Sequence, residues 1–167
     1  MARFTARRRA LSTLYEADEK RQDFKSLLQE RIAMPGTQTP LPAYAIEIVE
    51  GVAEHRFELN RILNDHSSWS INRMAVVDRN IMRIAAWEIL YNPEISSAIA
   101  IHEAVQLAEQ YSDADSPAFI HGVLSSIADD KTLVSSDTTD NSVSTDDETE
   151  TDASLSIQEE NSESDAE

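Results

Sequence analysis

The stretch "DRNIMRIAAWEIL", residues 78–90, decides how the rest of the chain is read. Its apolar positions are Ile81, Met82, Ile84, Ala85, Ala86, Trp87, Ile89 and Leu90, and only Arg79, Asn80 and Arg83 leave a narrow polar strip. A helix that is apolar on most of its circumference must be surrounded by other helices. The spacing therefore predicts the central helix of an α-helical bundle, with Trp87 in the core. Asn92-Pro93 ends it, because the residue before a proline is pushed out of the helical region.

The flanking segments supply the helices that would surround it. Towards the N-terminus, a helix is expected from about Thr5 to Glu19, with Ala10, Leu11, Leu14 and Ala17 as its apolar stripe and Arg9, Thr13 and Glu16 on a polar face. "FKSLLQERI" (24–32) is a shorter helix, and "MPGTQTPLP" (34–42), with three prolines and a glycine, is a loop. After Pro42, Ile48, Val52, His55, Leu59 and Ile62 recur at steps of four and three, opposite a wet stripe of Glu47, Glu50, Glu54 and Glu58, which predicts one long helix. "DHSSWSINRM" (65–74) is an interruption with a short turn of helix, and its Trp69 is expected in the core. Beyond the central helix, Ile101, Ala104, Val105, Ala108 and Tyr111 share one face of another helix. "DADSPAFIHGVLSSIADD" (113–130) opens the last, with Ser116 as N-cap and Pro117 at the first helical position, where a missing N–H costs nothing. Strand alternation and internal repeats are absent. The expected fold is an all-α bundle of about six or seven helices.

Charge divides the chain in two. Residues 132–167 hold twelve acids and no Lys or Arg, whereas residues 1–131 hold nineteen acids and fourteen bases, so most of the net charge of −17 belongs to the C-terminal segment. That segment has no aromatic residue, and fourteen of its thirty-six residues are Ser or Thr. It cannot bury enough apolar surface to offset an ordering cost of about 1–2 kcal/mol per residue. The expected division is a helical domain over 1–131 and a disordered acidic tail over 132–167.

Several kinds of chemistry are excluded. There is no cysteine, hence no disulfide or thiolate. Three isolated glycines, Gly36, Gly51 and Gly122, build no phosphate-cradling loop. His55, His66, His102 and His121 form no ligand pair, and no nucleophile stands beside a plausible base. Neither an enzyme nor a metal or cofactor protein is expected. No apolar run approaches a membrane span, and the basic N-terminus lacks the apolar segment of a signal peptide; a soluble, cytoplasmic protein is expected.

Two features point instead to nucleic acid. Arg3, Arg7, Arg8 and Arg9 precede the first acid, Glu16, and guanidinium forks at the mouth of a helix suit phosphates. Phe119, in the first turn of the last helix, is placed to stack on a splayed base or to pack into the bundle.

Four segments, "FTARRRALSTLYEAD", "VDRNIMRIAAWEIL", "AIAIHEAVQLAEQYS" and "SPAFIHGVLSSI", together resemble the NusB family of transcription antitermination factors, in the same order and over residues 3–128. The resemblance implies two packed helical subdomains and a role without catalysis. It implies binding of single-stranded boxA RNA of nascent ribosomal-RNA transcripts as a heterodimer with NusE, a small-subunit ribosomal protein, within an RNA polymerase antitermination complex. It leaves open whether the free chain forms a homodimer. By position it implies that Arg7, Arg8 and Arg9, together with Arg3, contact RNA phosphates, that Asp115, Ser116 and Phe119 lie at the RNA surface, and that Asp78 contacts NusE. His102 and His121 stand where the family has Asn. The competing readings are a helical protein–protein adaptor whose arginines dock an acidic partner, and an RNA-binding accessory module of the same shape.

Overall fold

The computed structural model describes residues 2–139. Its α-helices are α1 (Ala2–Lys20), α2 (Phe24–Ala33), α3 (Ala43–Glu54), α4 (Arg56–His66), α5 (Val76–Tyr91), α6 (Ser97–Tyr111) and α7 (Ser116–Thr139), with a single 3-10 turn at Ile71–Arg73 and no strand among the described residues. Helix α5 is the hub. It packs on α1 and α3 on one side and on α4, α6 and α7 on the other, so that α1–α3 and α4–α7 form two groups joined across it. Ile81, Met82, Ile84, Ala85, Ala86 and Ile89 are fully enclosed. The central position expected from its composition is the one observed.

The polar strip of α5 is not solvated. Asp18 of α1 accepts hydrogen bonds from Arg79 (3.1 Å), Asn80 (2.9 Å) and Arg83 (2.8 Å), and Arg83 also donates to Asn60 of α4 (3.0 Å). Asn80 and Arg83 are buried, and Arg83 lies over the Phe24 ring. Burial alone would raise the Asp18 pKa, but the Arg83 charge and the hydrogen bonds from Asn80 and Arg79 outweigh it, and the carboxyl is held below its ordinary range. The strip is a polar staple joining α1, α4 and α5.

Local signals end the helices. After α1, Arg21 takes a left-handed φ of 54° while its N–H bonds Asp18 O and that of Gln22 bonds Ala17 O, the paired bonds of a Schellman turn without its usual glycine. Asp23 and Ser96 cap α2 and α6 through their side chains. The long helix expected after Pro42 is two helices, broken at His55 (φ −103°, ψ 18°), whose ring stacks on Tyr91 at 3.7 Å. Gly51 lets α3 approach α5: a Cβ there would fall 2.1 Å from Trp87 Nε1. Ser116 is the first residue of α7 itself, not a cap before it, and the helix continues to Thr139. The expected boundary at residue 131 therefore lies inside α7, and residues 132–139, expected as tail, are helical; the remainder of that expected tail, 140–167, lies outside the described residues.

Candidate nucleic-acid interface

The four N-terminal arginines do not form one patch. An α-helix turns about 100° per residue, so Arg7, Arg8 and Arg9 leave α1 in three directions. Arg7 points inward and is 3% exposed. Its Nε and Nη2 grip the Glu88 carboxylate in a fork (2.9 and 2.7 Å), Nη1 lies 3.7 Å from Glu103, and the Tyr44 hydroxyl donates to the same Glu88 (2.6 Å). Burial would lower the Arg7 pKa, but Glu88 more than compensates, and the guanidinium holds its proton more tightly than usual. Burial and Glu88 likewise push the Tyr44 hydroxyl up, which keeps it a donor. The expected phosphate contact at Arg7 is corrected: its donors close a buried ion pair. Arg9 donates to Thr37 (2.9 Å) and Thr39 (3.0 Å) and fastens the proline-rich loop. Arg3 lies over the Tyr44 ring, 3.5 Å from Glu94. Arg8 is exposed, and its guanidinium meets no acid among the described residues.

Two grooves flank the first turn of α5. The first is apolar, about 260 Å³, and is lined by Arg8, Leu11, Ser12, Tyr15, Val77 and Tyr111. The second, about 510 Å³, is lined by Trp69, Arg73, Met74 and Phe119 together with Asp78, Asp113, Asp115 and Ser116. Here the structure corrects the reading of Trp69. It is 58% exposed, because the 3-10 turn sends Ile71 into the core instead, with the Ile71 N–H bonded to Asn64 (2.8 Å). Phe119 rests partly on the core and lines the groove with its remainder. Arg73 is exposed and paired with no acid among the described residues.

Asp78 and Ser116 line the second groove and are bonded to each other. Asp78 is 8% exposed and accepts hydrogen bonds from Ser112 and from Ser116 (2.9 Å), so its carboxylate holds the α6–α7 loop. The Ser116 hydroxyl donates to Asp78. Asp115 is exposed and lines the second groove. His102 and His121 line a separate cleft with Ala98, Ile101 and Val105. The residues that sequence reasoning missed are Trp69 and Arg73, Tyr15 and Tyr111. The available signal for Trp69 was its setting among Ser67, Ser68 and Ser70, outside any apolar repeat.

The NusB family model matches residues 5–129. The chain belongs to the NusB family. This is a family of transcription antitermination factors, adaptors and not enzymes. The transcription antitermination protein NusB of Bifidobacterium longum subsp. infantis is 65% identical over 128 residues, covering 76% of this chain and 68% of that one. NusB of Beutenbergia cavernae is 46% identical over 132 residues, 74% of this chain and 86% of that one. The fold is shared with T. maritima NusB (TM-score 0.66, 28% identity, 76% of this chain and 90% of that one). It is shared also with the crystal structure of antitermination factors NusB and NusE in complex with dsRNA (TM-score 0.67, 26% identity, 78% of this chain and 99% of that one). No helix among the described residues is long and apolar enough to cross a membrane.

Proposed function

We propose that this NusB-family chain binds the boxA element of nascent ribosomal-RNA transcripts together with NusE, and acts in the cytoplasm within an antitermination complex on RNA polymerase. The groove between Trp69 and Phe119 carries this reading. Two aromatic side chains and an unpaired guanidinium line it together, beside Asp113 and Asp115, and suit unstacked bases and one phosphate of their backbone. The likeness to NusB crystallised with NusE and dsRNA supports the choice of NusE and of RNA as the classes of partner. The apolar groove is the surface suited to NusE: Tyr15 and Tyr111 expose apolar rings beside Leu11 and Val77, and Arg8 adds one positive charge at the rim. In this reading Asp115, Phe119, Trp69 and Arg73 meet RNA, and Arg8 serves the junction of the two surfaces.

The test is a titration of single-stranded boxA RNA, a scrambled strand and a duplex, with and without NusE. Trp69→Ala and Phe119→Ala are each expected to weaken single-strand binding by about 1–3 kcal/mol. Arg73→Ala should lower the salt dependence by roughly 0.7 in slope. Tyr15→Ala should reduce NusE binding while leaving binding of RNA alone unchanged. Wild-type RNA affinity in both aromatic variants would refute the groove assignment.

A further inference from the structure

We propose that Asp78 is a positioning residue for RNA binding: with Ser112 and Ser116 it forms a hydrogen-bonded clasp that sets Phe119 at the wall of the groove. The inference rests on the groove reading above and goes beyond it by assigning to three residues a role that works through the bonds they make to one another.

The geometry is specific. Asp78 stands in the first turn of α5, the most enclosed helix of the fold, so its carboxylate is a fixed point. Ser112 closes α6 and Ser116 opens α7; both hydroxyls donate to that one carboxylate, one to each oxygen, and their own oxygens lie 2.9 Å apart. Each hydroxyl carries a single proton. With both protons directed at Asp78, the carboxylate ties together the side chains at the two ends of the connection. Two backbone bonds continue the constraint, from Ser116 N–H to Asp113 O (3.1 Å) and from Phe119 N–H to Asp115 O (3.4 Å).

Phe119 lies three residues beyond Ser116 and therefore on nearly the same side of α7. Side chains sit about 5–6 Å from a helix axis, so a rotation of 10° about that axis would carry the ring roughly 1 Å. A displacement of that size is enough to degrade a stacking contact, which depends on van der Waals approach. The carboxylate lines the groove with each of its oxygens engaged by a serine hydroxyl.

The experiment is a double-mutant cycle read by affinity for single-stranded boxA RNA at fixed salt, with a thermal melt of each protein to establish the folded fraction. The variants are Ser112→Ala with Ser116→Ala, Phe119→Ala, all three together, Asp78→Asn and Asp78→Ala; Ser112→Ala alone provides a milder form. Phe119→Ala is expected to weaken binding about tenfold or more. Loss of the two hydroxyls should weaken it roughly three- to tenfold when Phe119 is present and less than about twofold when it is absent, the non-additivity of residues acting through one contact. Asp78→Asn keeps the shape and one full acceptor, so it should retain most of the affinity, whereas Asp78→Ala should resemble the serine pair. A serine effect of equal size with and without Phe119 would overturn the positioning role while leaving the groove in place. Unchanged affinity in Phe119→Ala would overturn the groove reading itself, and the clasp's role with it.

Discussion

Removing the Arg7 guanidinium would leave Glu88, which is fully enclosed, facing only the Tyr44 hydroxyl. An uncompensated buried charge of this kind is destabilising by about 3–5 kcal/mol. Arg7→Ala should therefore lower the denaturant midpoint strongly, whereas Arg8→Ala should leave it unchanged and alter only association with NusE and RNA. Equal, small stability effects for the two would contradict the inward placement of Arg7. The same logic separates Phe119 from Phe24: the first is shared between core and groove, while the second is buried beneath the guanidinium groups of Arg56 and Arg83. Single residues were the least legible part of the sequence. Arg7, Arg8 and Arg9 look equivalent in a line of text, and the acid that claims Arg7 lies 81 positions away. Asp78 was visible as an acid ahead of the central helix, but its partners, Ser112 and Ser116, belong to a connection 34 and 38 residues further on.

At the scale of elements, the two helical glycines are expected to respond in opposite directions to one methyl group. Gly51→Ala drives a carbon into the Trp87 indole at the α3–α5 contact and should destabilise by about 1–3 kcal/mol or more. Gly122→Ala, on an exposed face of α7 with no heavy atom within 4 Å of the added carbon, should stabilise by about 0.4–1 kcal/mol. Paired thermal melts check both. Elements were legible where the signal is local: α5 announces itself by its composition, and the proline-rich stretch ahead of α3 by its breakers. The α3–α4 break was not legible. Ile48 and Val52 before it, and Leu59 and Leu63 after it, all face the core, so the apolar repeat keeps its phase through His55 and conceals the kink. Trp69 failed for a related reason: an aromatic residue in a short irregular segment has no periodicity to say which side faces inward.

For the molecule as a whole, acid should loosen the staple between the helix groups. The folded pKa of Asp18 is depressed, and that of Glu16 is held at about 2, chiefly by the hydrogen bond from Arg31. A depressed carboxyl pKa contributes stability that is present above the unfolded value, near 4, and is lost as pH falls through the folded one. Melting temperature should thus decline steadily from about pH 4 towards pH 2, and Asp18→Asn should flatten part of that decline while lowering the plateau above it. Beyond Thr139 the sequence holds eleven acids and no base. Tethered negative charge competes with a polyanion for exposed cations such as Arg8 and Arg73, and salt screens that competition. A chain ending at Thr139 should bind unrelated single-stranded RNA more tightly than the full chain at low salt, with the two converging towards 1 M. Equal affinities at low salt would show that the acidic segment does not compete. The two tryptophans, finally, divide the protein's optical signal between them. Trp87 is 6% exposed at the α3–α5 contact and Trp69 is 58% exposed in the groove. Emission from the first should be blue-shifted, slow to respond to iodide and sensitive to unfolding; emission from the second should be red, readily quenched and extinguished by a stacked base. Trp69→Phe should keep the unfolding signal and abolish the RNA signal, which gives the unlabelled protein separate readouts of folding and of binding.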